Sequence, residues 1–157
     1  VNYLDTSALI KRFVAEPGSE LVRKLVTEEG PVATAKIAYA EAYAAFNRKK
    51  REGHLSRRDY GLVSEAFEND WQAYVRVDLQ EEILAFCREL TERHPLRGFD
   101  AIHLASALSL QRDLGEKLTF AAADARLLEA AAAEDLLSLD VENPPVKPGA
   151  SVDGACT

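Results

Sequence analysis

Four acidic residues are the positions in this sequence best suited to chemistry: Asp5, Glu41, Asp100 and Asp124. Asp5 ends a short apolar run, Tyr3-Leu4, and Asp124 follows another, Leu118 to Ala121, after a short turn. Glu41 sits in the middle of Lys36 to Phe46, a stretch apolar nearly all round once wound as a helix, and such a helix is buried. In Gly98 to Leu108, Ala101, Leu104, Ala105 and Leu108 form one apolar stripe with Asp100 at its edge. An isolated carboxylate in a low-dielectric setting is costly, so each acid needs a partner. Taken singly, Asp5 and Asp124 also read as helix N-caps, and Asp100 as an acid complementing a helix N-terminus. Glu41 has no such reading, because its neighbours one turn away, Ile37 and Ala45, cannot pair with it. Carboxylates brought together repel unless a cation neutralises them. An all-carboxylate set with no Cys and no suitably spaced His selects Mg²⁺ or Mn²⁺ over Zn²⁺.

An α/β chain can position these acids. In a parallel sheet the carboxyl ends of the strands share one edge, where ligands bind. Short apolar runs alternate with amphipathic stretches along the sequence. After Asp5, Thr6 or Ser7 caps a helix with Leu9, Ile10, Phe13 and Val14 on its apolar side and Lys11 and Arg12 pointing away. Glu16 to Ser19 breaks it, and a second helix carries Leu21, Val22, Leu25 and Val26. Val32-Ala33 is a short strand, and the Glu41 helix follows. Ser56 to Asp59 has the form of a capping box and opens a helix with Val63, Phe67 and Trp71 on one side. Val75 to Val77 is a strand, and Asp78 is placed to cap the helix bearing Ile83, Phe86, Cys87 and Leu90. His94-Pro95 ends that helix, and the Asp100 helix comes next. Leu118 to Ala121 and Leu136 to Leu139 are strands on either side of a helix with Leu127, Leu128 and Ala131.

The chain has 157 residues, 47% of them hydrophobic, which is enough for one domain with a full core. No run approaches the ~20 apolar residues that cross a membrane, and no secretory leader pattern is visible. Cys87 and Cys156 do not make a disulfide framework, so a reducing cytoplasm is expected. A net charge of -7 argues against a general nucleic-acid coat. One segment runs the other way: Arg48, Lys49, Lys50, Arg51, Arg57 and Arg58 meet only one acid, Glu52. A helix terminus in solvent, RNA contact and a partner surface all remain open for it.

In its ordered motifs the sequence resembles a PIN domain of the kind found in VapC-type toxins of bacterial toxin–antitoxin pairs. The carriers are Leu4 to Leu9, Glu41, Phe99 to Ala105 and Ala123 to Leu127, from Asn2 to about Leu139. The resemblance implies a three-layer α/β fold, with a central, mostly parallel sheet of four to five short strands and helices on both faces. It implies a domain at 1–140, and residues 141–157, rich in Pro, Gly and small residues, read as a disordered tail. Position by position it makes Asp5, Glu41, Asp100 and Asp124 the catalytic, metal-binding acids for Mg²⁺ or Mn²⁺. The implied activity is hydrolysis of an RNA phosphodiester, with an antitoxin protein and a second copy of the chain as partners. Many relatives carry Ser or Thr two residues before the last acid; here that position is Ala122, leaving Thr6 or Ser7 as the supporting hydroxyl. Lys11, Arg12 and Arg97 are candidates for phosphate contact, and His103 reads as a packed helix residue in preference to a general base.

Two rival readings differ in class. A haloacid-dehalogenase or receiver-type phosphoryl-transfer protein needs a second Asp two residues after the first, or an acid pair before it and a Lys downstream; Asp5-Thr6-Ser7 offers neither. A non-catalytic PIN-fold binding module would have vestigial acids, and Mn²⁺ titration separates it from an enzyme.

Overall fold

A computed structural model describes residues 1–28 and 30–146, excluding the side chain of Glu28. The chain starts in the middle of its sheet. Strand β1 (Asn2–Leu4) pairs in parallel with β2 (Val32–Ala35) on one side and β4 (Thr119–Ala122) on the other. Strands β3 (Val75–Val77) and β5 (Leu137–Asp140) complete the edges, giving the all-parallel order β3-β2-β1-β4-β5.

Successive strand side chains point to opposite faces. Tyr3 therefore packs with Phe120, Leu104 and Leu127 on one side of the sheet, and Leu4 with Leu9, Phe46 and Phe67 on the other. Both faces are covered, which is why these strands read as apolar runs without alternation. The Leu4 face holds α1 (Thr6–Leu9), continued by a 3₁₀ turn at Ile10–Arg12, then α2 (Ser19–Glu28), α3 (Ile37–Arg51) and α4 (Arg57–Ala73). The Tyr3 face holds α5 (Glu81–Arg93), α6 (Gly98–Leu114) and α7 (Ala125–Ala133). Phe67 is the hub of the first layer, with the rings of Phe13, Tyr39, Tyr43, Phe46 and Trp71 centred 5.3 to 5.6 Å from its own. Truncating such a residue to Ala costs about 3–5 kcal/mol.

Three local expectations change. The Glu41 helix runs past Phe46 to Arg51, carrying most of the basic segment on its last turn. Asp78 does not cap α5: its carboxylate pairs with Lys36 Nζ at 2.5 Å, and Gln80 takes the N-cap position without a side-chain bond. Residues just past 140 belong to the packed body. Val141 is buried and its N–H donates to the Ala122 carbonyl at 3.0 Å, while Glu142 accepts from Lys11 Nζ. From residue 147 onward the expected tail lies outside the described residues.

Candidate active site

The strand order reverses between β1 and β4, because the chain leaves β1 toward β2 and returns to β4 on the opposite side. That switch point opens a crevice at the carboxyl ends of the strands. Asp5 follows β1 directly, its N–H bonded to the Ala121 carbonyl at 3.1 Å, and Asp124 lies two residues beyond β4. Both also cap helices: Asp5 accepts the Ala8 N–H at 2.9 Å, and Asp124 the Leu127 N–H at 3.0 Å. Ser7 ties the two strand ends together. Its hydroxyl donates to Asp5 at 2.7 and 2.9 Å and accepts the Ala123 N–H at 3.0 Å. The hydroxyl therefore sits at the Ala123 amide, one residue before Asp124. Asp5 is only 4% exposed. Burial pushes its carboxyl upward, outweighing the pull of His103, Ala8 and Ser7.

Glu41 reaches the crevice from α3. Thr6 Oγ1 donates to its Oε1 at 2.7 Å, and His103 Nε2 lies 2.9 Å from the same oxygen. Burial alone would raise this carboxyl, but the His103 and Thr6 hydrogen bonds, aided by the charge of Arg97, hold it below the usual glutamate value. Asp100, on the first turn of α6, accepts from Arg97 Nε at 3.0 Å, and Arg97 Nη2 stands 3.8 Å from Asp124. All four acids line one cleft of about 570 Å³, together with Thr6, Ser7, Arg48, Arg97, Phe99 and His103. Among the described residues no three His, Cys, Asp or Glu side chains converge closely enough to hold a single ion.

Two of the three expected phosphate contacts lie elsewhere. Lys11 is 3% exposed and pairs with Glu16 at 3.1 Å and Glu142 at 2.6 Å. Arg12 donates to Asp70 at 3.0 Å. Neither lines the cleft; Arg97 does. Arg48, which the sequence shows only as part of the basic segment, also lines the cleft. Its signal was its spacing, two helical turns after Glu41 and so on the same face of α3. Lys49 is committed to Glu16, and Lys50 lies 4.3 Å from the centroid of the Tyr60 ring. His103, one turn after Asp100, is packed as expected, yet both of its nitrogens are bonded, Nε2 to Glu41 in the cleft and Nδ1 to Tyr3 in the sheet core.

An all-parallel three-layer sheet with four carboxylates at its switch point defines a recognisable class. The PIN domain family model matches residues 3–133, and the chain belongs to that family. Its relatives include Ribonuclease VapC49 of Mycobacterium tuberculosis (strain ATCC 25618 / H37Rv), 34% identical over 108 residues, which are 69% of this chain and 75% of the relative. Ribonuclease VapC46 of the same strain is 35% identical over 129 residues, covering 82% of this chain and 88% of the relative. Among solved structures, PAE2754 from Pyrobaculum aerophilum aligns with a TM-score of 0.57 at 21% identity, over 90% of this chain and 85% of that one. FitAcB from Neisseria gonorrhoeae aligns with a TM-score of 0.61 at 17% identity, over 90% and 98%. At those identities the two structures establish the fold alone.

Proposed function

We propose that this chain is a divalent-metal-dependent endoribonuclease whose ion is held by Asp5, Glu41, Asp100 and Asp124. The observation that carries the reading is that these four carboxylates, far apart in sequence, line one cleft. The donor set supports a hard dication: the acids offer only oxygen, and Asp5 is a buried carboxylate that pairs with no Lys or Arg among the described residues. Relatives named ribonucleases support RNA as the substrate.

Bound at these acids, Mg²⁺ or Mn²⁺ supplies Lewis acidity and an activated water for in-line attack on phosphorus. The remaining work belongs to the chain. Ser7 and the Ala8 N–H fix the Asp5 carboxylate before substrate arrives. Thr6 and His103 hold Oε1 of Glu41, which lines the cleft. The Thr6 and Ser7 hydroxyls are engaged by carboxylates, so neither serves as nucleophile. Arg97 and Arg48 line the same cleft and suit a phosphate by charge. The family resemblance adds an antitoxin protein and a second copy of the chain as proposed partners, and a cytoplasmic setting.

The test is cleavage of an end-labelled single-stranded RNA in Mn²⁺. The expected result is internal cuts bearing 5′-phosphates, abolished by EDTA and by Asp100→Asn. Undiminished cutting in EDTA, or by the variant, would overturn the proposal. A non-catalytic binding module would cut nothing under any condition.

A further inference from the structure

We infer that His103 is a positioning residue that orients the Glu41 carboxylate by tying it to the sheet core through Tyr3. This inference rests on the nuclease reading above. His103 Nε2 lies 2.9 Å from Glu41 Oε1 and 2.9 Å from Thr6 Oγ1, and its Nδ1 lies 3.1 Å from the Tyr3 hydroxyl. The Glu41 carboxylate offers acceptor oxygens, and the Thr6 hydroxyl already donates to the same Oε1. Nε2 must therefore carry the hydrogen and donate it, whatever the state of the other nitrogen.

The far side of the ring is anchored as firmly. Tyr3 is completely buried on β1, stacked on Phe120 at 5.4 Å and edge-on to His103 at 6.0 Å. His103 itself is 2% exposed on α6. A single side chain thus connects four elements: the central strand, α1, the helix bearing Asp100 and the helix bearing Glu41. An apolar residue would fill this space without the cost of burying two polar nitrogens. The imidazole instead fixes which oxygen of Glu41 is engaged. Hydrogen-bond partners of ligating carboxylates act in this way, by setting orientation before the ion arrives.

The two conservative variants separate the nitrogens. In His103→Gln the side-chain amide reaches the place of Nε2, whereas in His103→Asn it reaches only the place of Nδ1. Mn²⁺ affinity is measured by calorimetry, with melting temperature in EDTA and kcat and KM for RNA recorded alongside. The Gln variant keeps the Glu41 contact but loses the Tyr3 tie, so it should bind Mn²⁺ more weakly than the wild type and more tightly than the Asn variant. The Asn variant should lose at least about tenfold in Mn²⁺ affinity and lose kcat with little change in KM. Equal Mn²⁺ affinities in the two variants would overturn the inference. If His103→Asn does not fold, Tyr3→Phe decides: it keeps the ring stack and removes the hydroxyl, and unchanged Mn²⁺ affinity there overturns the inference. A wild-type protein that neither binds Mn²⁺ nor cuts RNA would overturn the nuclease reading itself, and this inference with it.

Discussion

Arg97 donates from Nε to Oδ2 of Asp100 at 3.0 Å, so the guanidinium occupies an oxygen that a bound cation would need. Its Nη2 is also turned toward Asp124 at 3.8 Å. Arg97 is the charged neighbour these two acids share, and at 81% side-chain exposure it is free to swing toward solvent or a phosphate. Arg97→Gln is expected to tighten Mn²⁺ binding by removing a competitor. It should weaken RNA binding at the same time and flatten its salt dependence by about 0.7 for the one lost phosphate contact. Calorimetry and salt-series binding check the two halves. Weaker Mn²⁺ binding in the variant would contradict the competition.

Asp5 makes the metal-free protein pay for a buried charge. Burial raises its folded-state pKa above the unfolded value. The folded protein then holds that proton more tightly, so ionised Asp5 destabilises the fold at neutral pH, and the penalty fades as pH falls. Asp5→Asn is expected to melt above wild type in EDTA at pH 7 and to gain less from added Mn²⁺. Scanning calorimetry with and without Mn²⁺ reads both, and identical melting of the two proteins in both conditions would show that Asp5 carries no such strain.

Glu16 behaves in the opposite sense. Burial alone would raise its carboxyl, but hydrogen bonds from Lys49 and Lys11 hold it below its ordinary 4.5. Its contribution to stability is present above the unfolded value and is lost as pH falls through the lower folded one. Glu16→Gln should lower stability at neutral pH and flatten the loss between neutral pH and the acid limb below 4.5. Urea unfolding across that range checks it; parallel acid profiles for the two proteins would contradict the assignment.

What the sequence made legible depended on how local each cause was. Asp5 and Asp124 stand at strand–helix junctions, and each is bonded to an N–H three residues on, a contact within one turn. Glu41 was legible by exclusion, as an acid in an apolar helix with no local partner. Its actual partner, His103, lies 62 residues away, so nothing in the helix could reveal it. Lys11 misled in part for the same reason: one of its two salt bridges runs to Glu142, 131 residues on, beyond the expected domain boundary. Arg12 and Asp70 are separated by 58 residues. Strand order was equally beyond local pattern, since periodicity says which segments are strands and not which are neighbours.

That same boundary yields a backbone prediction. Gly18 has φ +88, and a Cβ there would run into the Val141 carbonyl oxygen. Gly18→Ala is expected to cost about 1–2 kcal/mol from the left-handed backbone alone, with the clash added to it. A denaturation midpoint unchanged from wild type would mean that the Val141 segment does not pack on this turn.

The central claim is that Asp5, Glu41, Asp100 and Asp124 form one cation site, and calorimetric titration of Mn²⁺ tests it most directly. Wild type is compared with Asp5→Asn, Glu41→Gln, Asp100→Asn and Asp124→Asn, each checked for folding. The account predicts saturable binding to wild type and weaker binding in every variant. Mn²⁺ binding that survives all four substitutions unchanged, or is absent from the folded wild type, would contradict it.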